Sequence, residues 1–98
     1  MQKRIAILGS TGSIGTQALE VISAYPEEFA VEVLTARDSA ELLIEQAKRF
    51  VPNVVVIGNL GHYSLVKEAL RNYPVKVFAG NDSIAQVVAF ESVDMVLT

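Results

Sequence analysis

One stretch of the chain restricts its fold more than any other. Gly9-Ser10-Thr11-Gly12-Ser13-Ile14-Gly15 follows directly on the aliphatic run Arg4–Leu8 and opens a segment with helical periodicity. In a strand–turn–helix setting, each glycine has a separate task. Gly9 lets the chain turn sharply off the strand, Gly12 lets the backbone approach an anion with no Cβ in the way, and Gly15 lets the helix pack closely on the sheet. Free N–H groups and the dipole at the helix N-terminus favour negative charge there, and the Thr11 and Ser13 hydroxyls add donors. A lone glycine pair is a weak signal, and glycines can simply cap a tight βα turn. Spaced glycines in the first βα turn point instead to the pyrophosphate of a dinucleotide.

The rest of the chain supplies the setting that this turn requires. Short aliphatic or β-branched runs at Arg4–Leu8, Val31–Thr35, Val54–Ile57, Val75–Ala79 and Asp94–Thr98 are each bounded by Gly, Pro, Asn or Asp. Their near-continuous hydrophobicity predicts strands buried on both faces, as in a parallel sheet. Between them, Ile14, Ala18, Leu19 and Ile22 form one helical stripe and Leu42, Leu43, Gln46, Ala47 and Phe50 a second, ending at Pro26 and Pro52. Residues 62–73 and 83–90 read as two further helices, the last with Asp82 or Ser83 as N-cap and Gln86 in capping-box position. The alternation predicts an α/β fold with an open, mostly parallel twisted sheet and helices on both faces, Rossmann-like. Asp94–Thr98 is expected beside the first strand, across the topological switch point. No helix follows it, so the domain is expected to be truncated there.

Composition removes several function classes. The absence of Cys and the presence of one His, His62, exclude a disulfide scaffold, thiol catalysis and a zinc ribbon. Eight basic against eleven acidic residues give a net charge of −3, without the basic excess of a nucleic-acid or anionic-membrane binder. Only Ile5 to Leu8 separate Arg4 from Gly9, too short for a signal-peptide core of about 7–15 residues. The expectation is a single cytoplasmic domain with no nucleic-acid or membrane partner.

The end of the second strand bears on which dinucleotide is bound. An NAD-binding unit usually places Asp or Glu there to bond the ribose 2′-hydroxyl. This strand ends Leu34-Thr35-Ala36 and continues Arg37-Asp38-Ser39, which favours NADP, with Arg37 toward a 2′-phosphate. Asp38 is open to two readings, as a ribose ligand or, with Glu41 three residues on, as the capping box of the second helix. Arg37 reads equally as a solvated charge, and His62 as a surface or capping residue. The aromatic residues, at helix ends or in strands, read as packing. There is no Tyr-x-x-x-Lys pair, no loop carboxylate pair and no nucleophile elbow, so no catalytic residue is assigned.

Beyond the generic motif, Arg4–Leu8 with Gly9–Gly15, then Leu19-Glu20-Val21-Ile22, Pro26-Glu27 with Phe29 and Val31, Leu34-Thr35-Ala36, Gln46, and Phe50 with Pro52 resemble the 1-deoxy-D-xylulose 5-phosphate reductoisomerase family at matching spacings. The resemblance covers nearly the whole chain. It implies an enzyme, dependent on NADPH and a divalent metal (magnesium or manganese), that rearranges and reduces 1-deoxy-D-xylulose 5-phosphate to 2-C-methyl-D-erythritol 4-phosphate in non-mevalonate isoprenoid biosynthesis. It further implies a homodimer, cofactor contacts from Gly9, Thr11, Gly12, Ser13 and Ile14, and an adenosine-phosphate loop at Arg37, Asp38 and Ser39. The family loop commonly carries Gly or a small polar residue and then Asn, and this chain departs from that pattern. The family enzyme is several times longer, and its metal carboxylates and substrate loop correspond to nothing within residues 1–98. These residues therefore resemble the N-terminal part of its NADPH-binding domain, expected to be inactive alone. The other readings are a short-chain or aspartate-semialdehyde type NADP-linked dehydrogenase, or a stand-alone dinucleotide-sensing module.

Overall fold

The computed structural model describes residues 2–83 and 93–98. Five strands, β1 (Lys3–Ile7), β2 (Phe29–Ala36), β3 (Val54–Ile57), β4 (Lys76–Ala79) and β5 (Met95–Leu97), pair in parallel in the order β4-β3-β2-β1-β5. Helices α1 (Ser13–Ser23), α2 (Ala40–Phe50) and α3 (Tyr63–Ala69) connect the first four strands, with a short 3-10 turn at Leu60–His62 leading into α3. The first four strands step outward from β1, and β5 lies on the opposite flank of β1. That reversal is the switch point the sequence predicts, and it brings the turn after β1 to the crevice where α/β sheets bind ligands.

Strand alternation separates two packed faces. Ile5, Ile7, Leu34, Val55, Ile57 and Val77 meet Leu19 and Ile22 of α1, Leu43, Ile44 and Ala47 of α2, and Val66 and Leu70 at the end of α3. Ala6, Val33, Val54 and Val56 form a second buried cluster on the other face, with Val93 against it. All three described helices thus cover one face. The expected fourth helix, at residues 83–90, lies outside the described residues apart from its start. Residues 81–83 are already helical, so the helix begins before the Asp82 or Ser83 cap that the sequence suggests.

Several expectations shift in detail. Burial on both faces holds for β3 and most of β2. The edge strands expose Lys76, Phe78, Met95 and Val96, because each has a neighbour on one side only among the described strands. The α1 stripe is Gly15, Leu19 and Ile22, while Ile14, one residue and about 100° around the helix from Gly15, is 71% exposed. In α2 the buried neighbour of Leu43 is Ile44, and Leu42 points outward. The third helix is shorter than residues 62–73, starting after the 3-10 turn and unwinding at Leu70. Tyr25, expected to pack, is half exposed. A bulge shifts the β1–β2 register from Ile5↔Val31 to Ala6↔Val33. The Glu32 carboxylate at this bulge is buried and accepts a 2.7 Å bond from Asn53 Nδ2.

Candidate functional site

The turn after β1 is fixed from beneath by a buried polar network. Leu8 N donates to Leu97 O at 2.8 Å, the last bond of the β1–β5 ladder. Gly9 then adopts φ +72°, a left-handed conformation that side chains disfavour, although space for a Cβ is open. Its N–H donates to Thr35 Oγ1 at 3.0 Å, and Ser10 N donates to Thr35 O at 2.8 Å. Ser10 is fully buried, its Oγ lying 2.7 Å from Gln46 Oε1, while Gln46 Nε2 returns a 2.9 Å bond to Ser10 O. The turn is thereby tied to β2 and to α2. Burial makes each of these bonds expensive to lose, because an abandoned partner would stay desolvated.

Gly15 and Gly12 differ in what surrounds them. A Cβ on Gly15 would stand 2.5 Å from Gly9 O and 2.6 Å from Ser10 Cα, both backbone atoms, so the helix approaches the turn too closely for any side chain. A Cβ on Gly12 would meet only Gly9 O, at an ordinary 3.5 Å, and would otherwise project into open space. Gly12 is the N-cap of α1 and provides no side-chain capping bond. The N–H groups of Thr11, Ser13 and Ile14 find no acceptor among the described residues. Bare donors at a helix N-terminus, with open space where a Cβ would stand, make a cradle that fits a diphosphate. Thr11 is half-buried beside it, and Ser13 and Ile14 are exposed on its rim.

The loop after β2 has a different character. Thr35 and Ala36 are buried, and no acidic side chain ends the strand, as the sequence reading requires. Arg37, Asp38 and Ser39 are all exposed. The Arg37 guanidinium forms no ion pair or hydrogen bond with another described residue. The capping-box reading of Asp38 is overturned. Ser39 is the N-cap of α2, without a side-chain capping bond, and Asp38 lies one residue too early. Its carbonyl accepts from Ala40 N at 2.8 Å, while its carboxylate turns to Asn59, accepting from Nδ2 at 3.1 Å. His62 is half-buried at the start of α3 and makes no side-chain capping bond, although the sequence allows a cap there.

Two features escape the sequence reading. The Gly58-Asn59 turn after β3 extends the pairing with the Arg37 loop, Gly58 N donating to Ala36 O and Asn59 N to Arg37 O, both at 2.8 Å. A Cβ on Gly58 would come within 2.9 Å of Asn81 Oδ1 and 3.2 Å of Arg37 Cα, so these strand-end loops are in close contact. A Gly-Asn pair ending a strand was the available signal. The Ser10–Gln46 pair has none, since a Gln on an apolar helical stripe does not announce its partner. A concavity of about 650 Å³ lies elsewhere, along β4 between Leu60, Tyr63 and Phe78. Volume does not identify the cradle, because a backbone-lined crest at a sheet edge is open rather than enclosed. Among the described residues no group of three or more His, Cys, Asp or Glu could hold a metal ion.

The family model described as 1-deoxy-D-xylulose 5-phosphate reductoisomerase matches residues 5–98. A reductoisomerase of Bacteroides thetaiotaomicron is 56% identical over 97 residues, covering 99% of this chain and 25% of the relative. The chain thus spans about a quarter of the length of the curated relatives it matches. The Zymomonas mobilis reductoisomerase, solved in complex with NADPH, superposes with a TM-score of 0.85 at 32% identity over 88% of this chain and 23% of that one. A DOX-P reductoisomerase solved with NADPH, fosmidomycin and magnesium gives a TM-score of 0.90 at 25% identity, over 96% of this chain and 23% of that one.

Proposed function

The chain belongs to the 1-deoxy-D-xylulose 5-phosphate reductoisomerase family, and from that membership we propose that residues 1–98 form the N-terminal part of an NADPH-binding, Rossmann-like domain. Membership sets aside the short-chain and aspartate-semialdehyde dehydrogenase readings. The observation that carries the proposal is the cradle at Gly12, where the backbone has an ordinary conformation and a Cβ would project into open space, while Gly9 is fixed by its positive φ, Ser10 by burial and Gly15 by close packing. Gly9 and Gly12 shape the backbone that receives the diphosphate, and Thr11, Ser13 and Ile14 donate to it. The exposed Ile14 side chain adds apolar surface at the rim. Arg37, Asp38 and Ser39 face the adenosine ribose, with Arg37 opposite the 2′-phosphate. When bound, the cofactor supplies the hydride of the reduction.

The whole enzyme's activity, conversion of 1-deoxy-D-xylulose 5-phosphate to 2-C-methyl-D-erythritol 4-phosphate, is proposed for the longer protein of which this chain is a part, acting as a cytoplasmic homodimer. Magnesium or manganese and the sugar phosphate belong to the proposal for the whole enzyme, and among the described residues no group of three or more His, Cys, Asp or Glu could hold a metal ion. The 98-residue chain is proposed as a binding unit without turnover. Incubated with the sugar phosphate, NADPH and magnesium or manganese, it should bind NADPH, measured by calorimetry, and oxidise none of it, measured by absorbance. NADPH oxidation dependent on the sugar phosphate would contradict the division of labour, and absence of NADPH binding would contradict the site.

A further inference from the structure

Asp38 poses an electrostatic problem for the proposed cofactor reading, on which this inference rests. A carboxylate in the loop that faces a ribose 2′-phosphate repels that dianion, yet Asp38 stands between Arg37 and Ser39. The neighbouring turn resolves it. Asn59 is held at three points: its N–H donates to Arg37 O at 2.8 Å, its Oδ1 accepts from Gly61 N at 2.8 Å, and its Nδ2 donates to Asp38 Oδ1 at 3.1 Å. The orientation of the amide is dictated by this arrangement. Only oxygen can accept from the Gly61 N–H, so the amide nitrogen must face Asp38. The donor is carried by a 3-10 turn whose own N-cap is Asn59, and it lies in the loop beyond β3 rather than in the cofactor loop itself.

The geometry points to Asn59 as a specificity-determining positioning residue, which holds the Asp38 carboxylate against the β3 turn and so keeps the 2′-phosphate position free for Arg37. Asn59 acts through Asp38 and the Arg37 carbonyl. Its contribution is to discrimination between NADPH and NADH. The diphosphate cradle, anchored separately by Thr35 and Gln46, is independent of it. Asp at this position is the informative replacement. It keeps an oxygen for Gly61 N–H and almost the same shape, but it sets an acceptor where Asp38 needs a donor.

The test is titration of NADPH and NADH into the chain by calorimetry, for the parent, Asn59→Asp, Asn59→Ala and the Asp38→Asn/Asn59→Asp pair. Asn59→Asp should weaken NADPH about fivefold and NADH less than about twofold, as expected for the loss of one exposed charge-assisted bond and the release of its carboxylate. Asn59→Ala, which removes the donor without adding charge, should shift NADPH in the same direction by about threefold. The paired exchange reverses donor and acceptor at constant net charge, and should restore NADPH binding to within about twofold of the parent. Equal losses for both cofactors, no loss, or failure of the pair to rescue would overturn the role of Asn59. A parent chain with no preference for NADPH would overturn it through its premise, an outcome distinguishable because the parent alone shows it.

Discussion

The loops that follow β1 and β2 lie side by side at the same edge of the sheet and are built on opposite principles. In the first, the parts that matter are backbone: a left-handed Gly9, a Gly15 with no room for a side chain, and N–H groups aimed outward, all held by buried Ser10, Thr35 and Gln46. In the second, Arg37, Asp38 and Ser39 are exposed side chains, and the only side-chain tie described is the one between Asp38 and Asn59. A diphosphate is common to every dinucleotide, so a rigid backbone cradle suits it. The ribose substituent is where NADPH differs from NADH, and exposed side chains can be altered there without disturbing the core. On the proposed reading, affinity and selectivity rest on different kinds of structure.

The sharpest way to break this contrast is to give the first loop a side chain where none fits. Gly15→Val should destabilise the fold by about 3 kcal/mol or more, because the clash is with backbone atoms that cannot swing away. Thermal unfolding would register this as a fall of roughly 15 °C or more, whereas an unchanged midpoint would mean that the helix can withdraw from the turn. Gly12→Val separates fold from function. At φ −80° and ψ 176° a β-branched residue is comfortable, so the circular dichroism spectrum should be retained while calorimetry shows the loss of both NADPH and NADH binding. Retained binding would reassign Gly12 to turn geometry alone. The second loop yields the smallest effect. Arg37→Ala should weaken NADPH by roughly tenfold and leave NADH nearly unchanged. Equal losses would place Arg37 at the diphosphate, and a parent preference for NADH would make Asp38 the ribose ligand.

The same contrast explains what can be read from sequence. Gly9 and Gly15 are legible because backbone conformation and close packing demand the one residue type that lacks a Cβ, whereas the open space at Gly12 calls for glycine only through the proposed diphosphate. The alternation of aliphatic runs with helical stripes is legible for the same reason: burial on a parallel sheet leaves a periodic trace, and β5 falls beside β1 as that pattern implies. Ile14 and Asp38 show where the trace fails. Ile14 has a spacing compatible with the core stripe, but the buried stripe runs through Gly15, Leu19 and Ile22, and Ile14 falls to one side of it and is exposed. Asp38 and Glu41 have capping-box spacing, yet the cap falls on Ser39 and the carboxylate turns to a residue twenty-one positions away. Contacts between loops at the ends of different strands depend on the sheet order, which local spacing does not encode.

The proposal that the backbone amides of the first turn receive the diphosphate can be tested by titrating NADPH into isotope-labelled chain and following the backbone amide resonances. The largest shifts should fall on Thr11, Gly12, Ser13 and Ile14, with a second set at Arg37, Asp38 and Ser39 that is much reduced when NADH replaces NADPH. Shifts concentrated at Leu60, Tyr63 and Phe78, along the concavity by β4, with the Gly9–Gly15 amides unmoved, would overturn it.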